Sequence, residues 1–544
     1  MTSLSIQNRF AVIFAEVFGL GLVALGLRLG DVTRPPIFDE LYHVLAARSW
    51  VIDGAFRIAD GVYDRAAAFT VLIGTAFEVF GDSLIVARLP SIVAGVLIVV
   101  VLFLWLRSTA GRTAAWIAAL ALCLSPEAIH ASVHIRFYTL HALLILCGAI
   151  AIHALATRRH SLVATTSLAA ATLVVLGLAL HLQITTYIAF VPLTFWIGLR
   201  VIGGLVSGRA QDFTIVWGAA ILAAVFVVGA VVVLATDYGA SILKVFRSTP
   251  LWNLENRDRL EYYVVSLVLR YPTFFSLFPV AAIYAISKRP AVASLCATIF
   301  TVSFLLLSFG GSKAERYIFF AMPFFFAVWG IALSEGMRQL SNGFRMHTDA
   351  AARRLLRGRG IPIGLHWCIT GLVLVFIMFT NTAFPLGLKM VFNPRPVPAK
   401  WQVVEPVLRP IATVSDVVLT TEDINALYFI GRHDMFISAT KLSEQKPKVE
   451  FTVDRRTGRP IISTAKSLKR VMACYPTGLI IAEDYHWLHE VYVTEAIAFL
   501  ITSQAERIEL AENAGIRAYR WRALLPDSNV DCQGLPAFGK KTAP

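Results

Sequence analysis

The sequence predicts a polytopic α-helical membrane protein of about eleven transmembrane helices, followed by a C-terminal extracytoplasmic α/β domain. Three observations predict it. The 544 residues are 57% hydrophobic and 15% charged, with a mean hydropathy of +0.67, which is too apolar for a soluble chain of this size. Apolar runs long enough to cross a bilayer recur near 9–29, 83–106, 113–130, 138–156, 162–180, 184–200, 213–236, 263–287, 291–309, 317–335 and 364–388. After the Pro-rich linker Asn393-Pro394-Arg395-Pro396-Val397-Pro398 the texture changes to short strand-like runs between helical ones.

The spans set the order of the first 388 residues. Arg9 followed by a long apolar run without a small-residue cleavage site reads as a retained anchor. With the N-terminus inside, the cytoplasmic connections carry Arg107 and Arg112, Arg158 and Arg159, Arg200 and Arg209, then Lys288 and Arg289. The last of them, 336–363, carries Arg338, Arg345, Arg353, Arg354, Arg357 and Arg359. Each expected inside loop is basic, as the positive-inside rule requires. The net charge of +14 is thereby explained without nucleic acid as a partner. The outer loops are then 30–82, 131–137, 237–262 and 310–316, and 389–544 lies outside a plasma (inner) membrane. The stretch 66–81 is shorter and reads as an interfacial helix.

In the C-terminal domain, Asp416–Thr421 and Gly478–Ala482 read as buried strands and Ala518–Trp521 as a closing strand. Helical stretches are expected at Glu422–Tyr428 and His489–Ser503, and no nucleotide-binding glycine fingerprint is present. Cys123, Cys147, Cys296 and Cys368 fall in apolar spans and read as small hydrophobes. Cys474 and Cys532 lie in the polar part, where an oxidising compartment permits one disulfide.

Chemistry-bearing residues gather in the outer loops. Pro35-Pro36-Ile37-Phe38-Asp39-Glu40 places two acids just past the first span. Acids beside a bilayer are costly and mark functional sites, although a helix N-terminus also favours them. Tyr63-Asp64-Arg65 adds a guanidinium suited to a phosphate, against the alternative of a solvated loop pair. Arg136 and Tyr138 stand at the outer end of the fourth span, where lipid snorkelling is the simpler reading. Lys313, Arg316 and Tyr317 stand at the tenth, where an aromatic anchor is common. Together they suit an anionic, lipid-linked substrate handled outside the cell. Asp64, His134 and His43 are the candidates for holding a sugar or a metal. A divalent metal is compatible with the sequence and not required by it, since no ligand spacing is recognised.

The order of these motifs resembles the GT-C superfamily of polyprenyl-phosphate-sugar-dependent glycosyltransferases, in particular the bacterial aminoarabinose transferase and protein O-mannosyltransferase branch. The matching residues are Asp39-Glu40, Tyr63-Asp64-Arg65, Arg88-Leu89-Pro90-Ser91, Ser125-Pro126 with Arg136-Phe137-Tyr138, and Arg316-Tyr317 with Pro323. The likeness covers roughly 1–335 and reaches no motif of the C-terminal domain. Two positions depart from it: His134 stands where the family has an acid, and Ala66 where it often has a proline.

The resemblance implies transfer of a sugar, with inversion, from a polyprenyl-phosphate-sugar to a hydroxyl-bearing acceptor that is a glycan, glycolipid or protein. Such a displacement needs a base for the acceptor proton and fixed cations for the leaving phosphate. Asp39 is the expected base, with Glu40 in support. Arg65, Arg136, Arg316 and Lys313, with Tyr63 and Tyr138, are the expected phosphate-binding residues. The rival reading is a transporter or flippase of lipid-linked saccharides. That class is expected to place acids or helix breaks near the bilayer midplane, whereas these acids lie at its edge.

Overall fold

A computed structural model describes residues 6–158, 160–208, 216, 220, 256, 258–355, 371, 375–392, 399–439, 450–522 and 530–535. The chain divides into two compact units, one of residues 1–33 and 88–394 and one of residues 34–87 and 395–544. The first outer loop therefore groups with the C-terminal segment rather than with the helices that flank it in sequence.

The membrane unit is helical. Seven helices among the described residues are long and apolar enough to cross a bilayer: Phe10–Leu29, Leu84–Thr109, Tyr138–Thr157, Leu162–Leu182, Ile184–Val206, Pro290–Phe309 and Glu315–Leu340. An eighth is a broken pair, Arg112–Leu124 and Pro126–Val133, bent by 58°. The break has a local cause. Pro126 cannot continue the preceding helix and suits the first turn of the next, which Ser125 caps by accepting from the Ala128 N–H at 3.1 Å. The expected span 263–287 is also interrupted, as Tyr262–Arg270, Pro272–Ser276 and Phe278–Lys288. Tyr271, ahead of Pro272, leaves the helical region with φ −125° and ψ 57°. The expected spans 213–236 and 364–388 lie wholly or partly outside the described residues.

The basic clusters assigned to the inner face find acidic partners within this unit. Arg107 and Arg112 both pair with Glu16, the former at 2.6 Å. Arg289 and Arg338 both pair with Glu335, at 3.2 and 2.7 Å.

The outer unit is built on a seven-stranded sheet. Its strands are β3 Val417–Thr420, β4 Met435–Ile437, β5 Thr452–Val453, β6 Pro460–Ile462, β7 Thr477–Glu483, β8 Glu506–Ile508 and β9 Ile516–Arg522, after a two-stranded hairpin in the first loop, β1 Arg57–Ile58 and β2 Gly61–Val62. The sheet order is β5-β6-β4-β3-β7-β9-β8. Its centre, β6-β4-β3-β7, is parallel, and the flanking pairings β5–β6, β7–β9 and β9–β8 are antiparallel. Val417, Leu419, Ile437, Ile462 and Ile480 are fully buried, which explains why β3 and β7 read as continuous apolar runs. Cys474 and Cys532 form a disulfide.

The first loop is tied into this unit by close backbone contact. Asp60 N–H donates to Thr457 O at 3.0 Å and Val62 N–H to Arg455 O at 3.4 Å. Arg459 pairs with Asp60 at 3.2 Å. A Cβ on Gly61 would lie 2.5 Å from the Arg456 carbonyl, and one on Gly458, whose φ is +68°, 2.5 Å from that of Asp60. Both positions need glycine for the hairpin β1–β2 to reach the β5–β6 turn.

Candidate functional site

In the outer unit, Asp39 and Glu40 open the helix Phe38–Asp53. Glu40 is wholly buried; it accepts from the Ile37 N–H at 2.9 Å and pairs with Arg34 at 3.1 Å. It satisfies one of the free N–H groups of the helix start and places negative charge where the helix dipole favours it. Asp39, the neighbouring position, is half-buried.

Tyr42, His43 and Tyr63 pack together. Tyr63 stacks on Tyr42 with ring centres 4.9 Å apart, and the His43 ring meets Tyr63 and Phe69 edge-on at 5.3 and 5.1 Å. His43 Nδ1 lies 2.9 Å from Thr70 Oγ1, and the residue is fully buried. Asp64 and Arg65 are exposed at the loop surface. Ala66, after them, has φ +52°, a left-handed conformation that proline cannot adopt. The loop therefore follows a different path here from one with proline at this position.

Arg456 lies over the Tyr42 ring at 5.0 Å and bonds both oxygens of Asp454, with its Nη2 3.1 Å from Oδ2. Burial works against its charge, but Tyr42, Asp454 and Asp423 outweigh it and hold the guanidinium pKa above its ordinary value.

Beyond β3 and β7, Glu422, Glu483 and His486 converge, with one potential ligand atom from each within 4.8 Å of the others. All three are buried. Burial, then Glu483 and Asp423, push the Glu422 carboxyl well above the usual range; burial raises Glu483 as well. Burial, then His489, pulls His486 down to about 3, which keeps its imidazole neutral at ordinary pH. Among the described residues this is the group of three that can hold a metal ion, and Asp64, His134 and His43 are not in it.

In the membrane unit, Arg136 is buried, its guanidinium 5.4 Å from the Phe137 ring centre and 5.9 Å from that of Tyr138. Its carbonyl accepts from Ser91 Oγ at 3.0 Å, which ties it to the Arg88-Leu89-Pro90-Ser91 segment. His134 packs on His130 at 5.4 Å. Lys313 is buried and donates to Gly310 O at 2.9 Å. Arg316 is exposed, 5.5 Å from the Tyr317 ring centre.

No protein-family model matches the chain, and no curated protein does. Solved structures match it at low identity over 77–98% of its length. ArnT from Cupriavidus metallidurans, bound to undecaprenyl phosphate, superposes with a TM-score of 0.59 at 13% identity, covering 95% of this chain and 98% of that one. The oligosaccharyltransferase AglB from Archaeoglobus fulgidus, in complex with an inhibitory peptide and a dolichol-phosphate, superposes with a TM-score of 0.60 at 11% identity, covering 98% and 75%. A structure of the Archaeoglobus fulgidus oligosaccharyltransferase with Zn and sulfate gives 0.51 at 13% identity, over 77% and 61%. The chain shares the fold of these structures.

Within this fold one polar network was not anticipated from sequence. Arg270 bridges Glu127, at 2.7 Å, and Glu315. Tyr271 Oη donates to Glu127 at 2.6 Å, Ser125 Oγ lies 3.1 Å from the same oxygen, and Ser266 Oγ donates to Glu315 at 2.9 Å. Glu127 directly follows the Ser125-Pro126 motif, and Arg270 interrupts an expected span. A charge inside an apolar run was the signal that sequence reading passed over.

Proposed function

We propose that this chain is an integral membrane glycosyltransferase that moves a sugar from a polyprenyl-phosphate-sugar to a hydroxyl acceptor on the extracytoplasmic face, with inversion. The observation that carries this reading is the full-length likeness to a structure bound to undecaprenyl phosphate, covering 95% of this chain. The motif order Asp39-Glu40, Tyr63-Asp64-Arg65, Arg136-Phe137-Tyr138 and Arg316-Tyr317 supports it independently of the fold. The Cys474–Cys532 disulfide suits an oxidising outer compartment for the C-terminal domain. A count of eleven spans and an inner-membrane location belong to the same proposal.

In the mechanism, Asp39 takes the acceptor proton as the hydroxyl oxygen bonds to the anomeric carbon. The bond from that carbon to the phosphate oxygen breaks, and its electron pair leaves with the lipid phosphate. Arg65, Arg136, Arg316 and Lys313 are the cations proposed to stabilise that phosphate, with Tyr63 and Tyr138 as hydroxyl donors. Glu40 acts by fixing the helix start beside Asp39. Asp64 is assigned to the sugar.

The test is release of polyprenyl phosphate from a labelled lipid donor in proteoliposomes. Asp39→Asn is expected to reduce turnover by roughly 100-fold or more, the scale of general-base catalysis. Undiminished turnover removes Asp39 as base, and no release by the wild-type chain from any polyprenyl donor removes the reading as a whole.

A further inference from the structure

The outer unit carries a buried polar cluster that the sugar-transfer reading leaves unused. β3 and β7 are parallel neighbours, with Thr420 opposite Ile481. Beyond its carboxyl end, β3 continues through 421–434 to β4, on the side away from β7. β7 continues through the helix Glu495–Gln504 to β8 and β9, on the side away from β3. The two connections part company at neighbouring strand ends. Such a reversal point is where open α/β sheets bind ligands, outside the carboxyl ends of the strands.

Glu422, Glu483 and His486 stand at that point. Glu422 follows β3, Glu483 is the last residue of β7, and His486 follows it. His486 is fully buried, its Nε2 makes no hydrogen bond, and the Glu422 carboxylate lies 3.6 Å from that nitrogen. Its other nitrogen is fixed: Nδ1 lies 3.0 Å from Thr421 Oγ1, which also accepts the Glu483 N–H at 3.2 Å. With Nδ1–H given to Thr421, the lone pair of Nε2 faces the acids. The carboxylates are oriented as well, Glu483 by the Trp401 indole and the Asn425 amide, and Glu422 by Tyr485 Oη at 3.3 Å. Among the described residues no Arg or Lys forms an ion pair with either carboxylate. A cation between them would be met by two buried acid oxygens and an imidazole lone pair, which together offset the cost of burying its charge.

We propose that Glu422, Glu483 and His486 form a divalent metal site of the Zn²⁺ class, which joins the two diverging connections of the outer domain. Two oxygens and one imidazole nitrogen suit a borderline ion such as Zn²⁺. Ligands about 2.1 Å from a tetrahedral ion stand roughly 3.4 Å apart, close to the 3.6 Å between His486 Nε2 and Glu422 Oε1. Thr421, Trp401, Asn425 and Tyr485 are the outer partners that orient the ligands. The site does not depend on the catalytic reading, because none of its ligands belongs to the sugar-transfer motifs.

The experiment uses the full-length protein in detergent, stripped with chelator and reloaded with Zn²⁺ or Co²⁺ alone. The expected result is one tightly held ion per chain, visible Co²⁺ absorption bands and a higher unfolding temperature on reloading. Glu422→Gln and His486→Gln are expected to lose the bands and to weaken Zn²⁺ binding by more than roughly tenfold. Glu422→Gln keeps size and shape, so it decides the matter if the histidine variant does not fold. A wild-type chain that takes up no ion, or variants that bind as tightly as wild type, would overturn the proposal.

Discussion

Replacing Gly458 by alanine separates two costs that are usually confounded, and the structure gives the size of each. Gly458 has φ +68°, so any side chain there incurs about 1–2 kcal/mol for a left-handed backbone. Its new Cβ would also lie 2.5 Å from the Asp60 carbonyl carbon, which is backbone and cannot swing aside. The hairpin β1–β2 must then retreat, losing the bonds Asp60 N–H to Thr457 O and Val62 N–H to Arg455 O. At about 1 kcal/mol each these bring the total to about 3–4 kcal/mol. Docking of the first loop is expected to weaken by more than about 100-fold. Gly431 is the control: its φ is +83° and nothing lies within 4 Å of its Cβ position, so Gly431→Ala incurs only the backbone part. The assay is trypsin cleavage at the exposed Arg57 and Arg65 of the folded chain, followed beside thermal unfolding. Gly458→Ala is expected to be cut far faster than Gly431→Ala. Equal cleavage of the two variants would refute the account of the loop as held by backbone approach.

Other outcomes follow from the same structure. Cys532→Ser opens a closure with a sequence separation of 58 residues, and chain-entropy reasoning gives a loss of up to roughly 4 kcal/mol, read as a lower unfolding temperature that reductant does not lower further. Arg270→Met leaves Glu127 and Glu315 without their shared cation and is expected to cost about 3–5 kcal/mol; Arg270→Lys keeps the charge without the two-pronged geometry and should recover only part, as measured by unfolding in detergent. Glu40→Gln keeps an acceptor for Ile37 N–H but loses the charge opposite Arg34, so stability is expected to fall by about 1.5–3 kcal/mol with little further loss in Asp39→Asn. An unchanged unfolding temperature in Glu40→Gln would remove its role in holding the helix start.

The sequence made legible whatever repeats over many residues or concentrates in one run. Most of the apolar runs 9–29 to 317–335 reappear as spanning helices, and β3, β7 and β9 stand where buried runs end in turn residues. β4, β5, β6 and β8 did not show, because two or three residues carry no period and Glu506-Arg507-Ile508 is a polar edge. Helical periodicity begins at His489, yet the helix starts at Glu495, since 484–494 is occupied with the turn around His486. The motif residues were legible singly, and their surroundings were not. His43 is one candidate in sequence for holding a sugar or a metal, and in the fold it packs against Tyr63, Phe69 and Thr70. Glu422 and Glu483, 61 residues apart, give no local signal, because only the parallel pairing of β3 and β7 brings their carboxylates together.

The outer unit is assembled from 34–87 and 395–544, with residues 88–394 made between them. The loop bearing Asp39 leaves the ribosome long before the turn that receives it exists. At about 5–20 residues per second the wait is roughly 20–80 s. Through that interval the hairpin has no backbone to dock against and the pair Asp39-Glu40 sits on an unfinished surface. Synthesis of the β5–β6 turn thus becomes the event that matures the loop. A chain cut short between residues 394 and 454 keeps the spanning helices described above and still lacks the turn that supports its first outer loop.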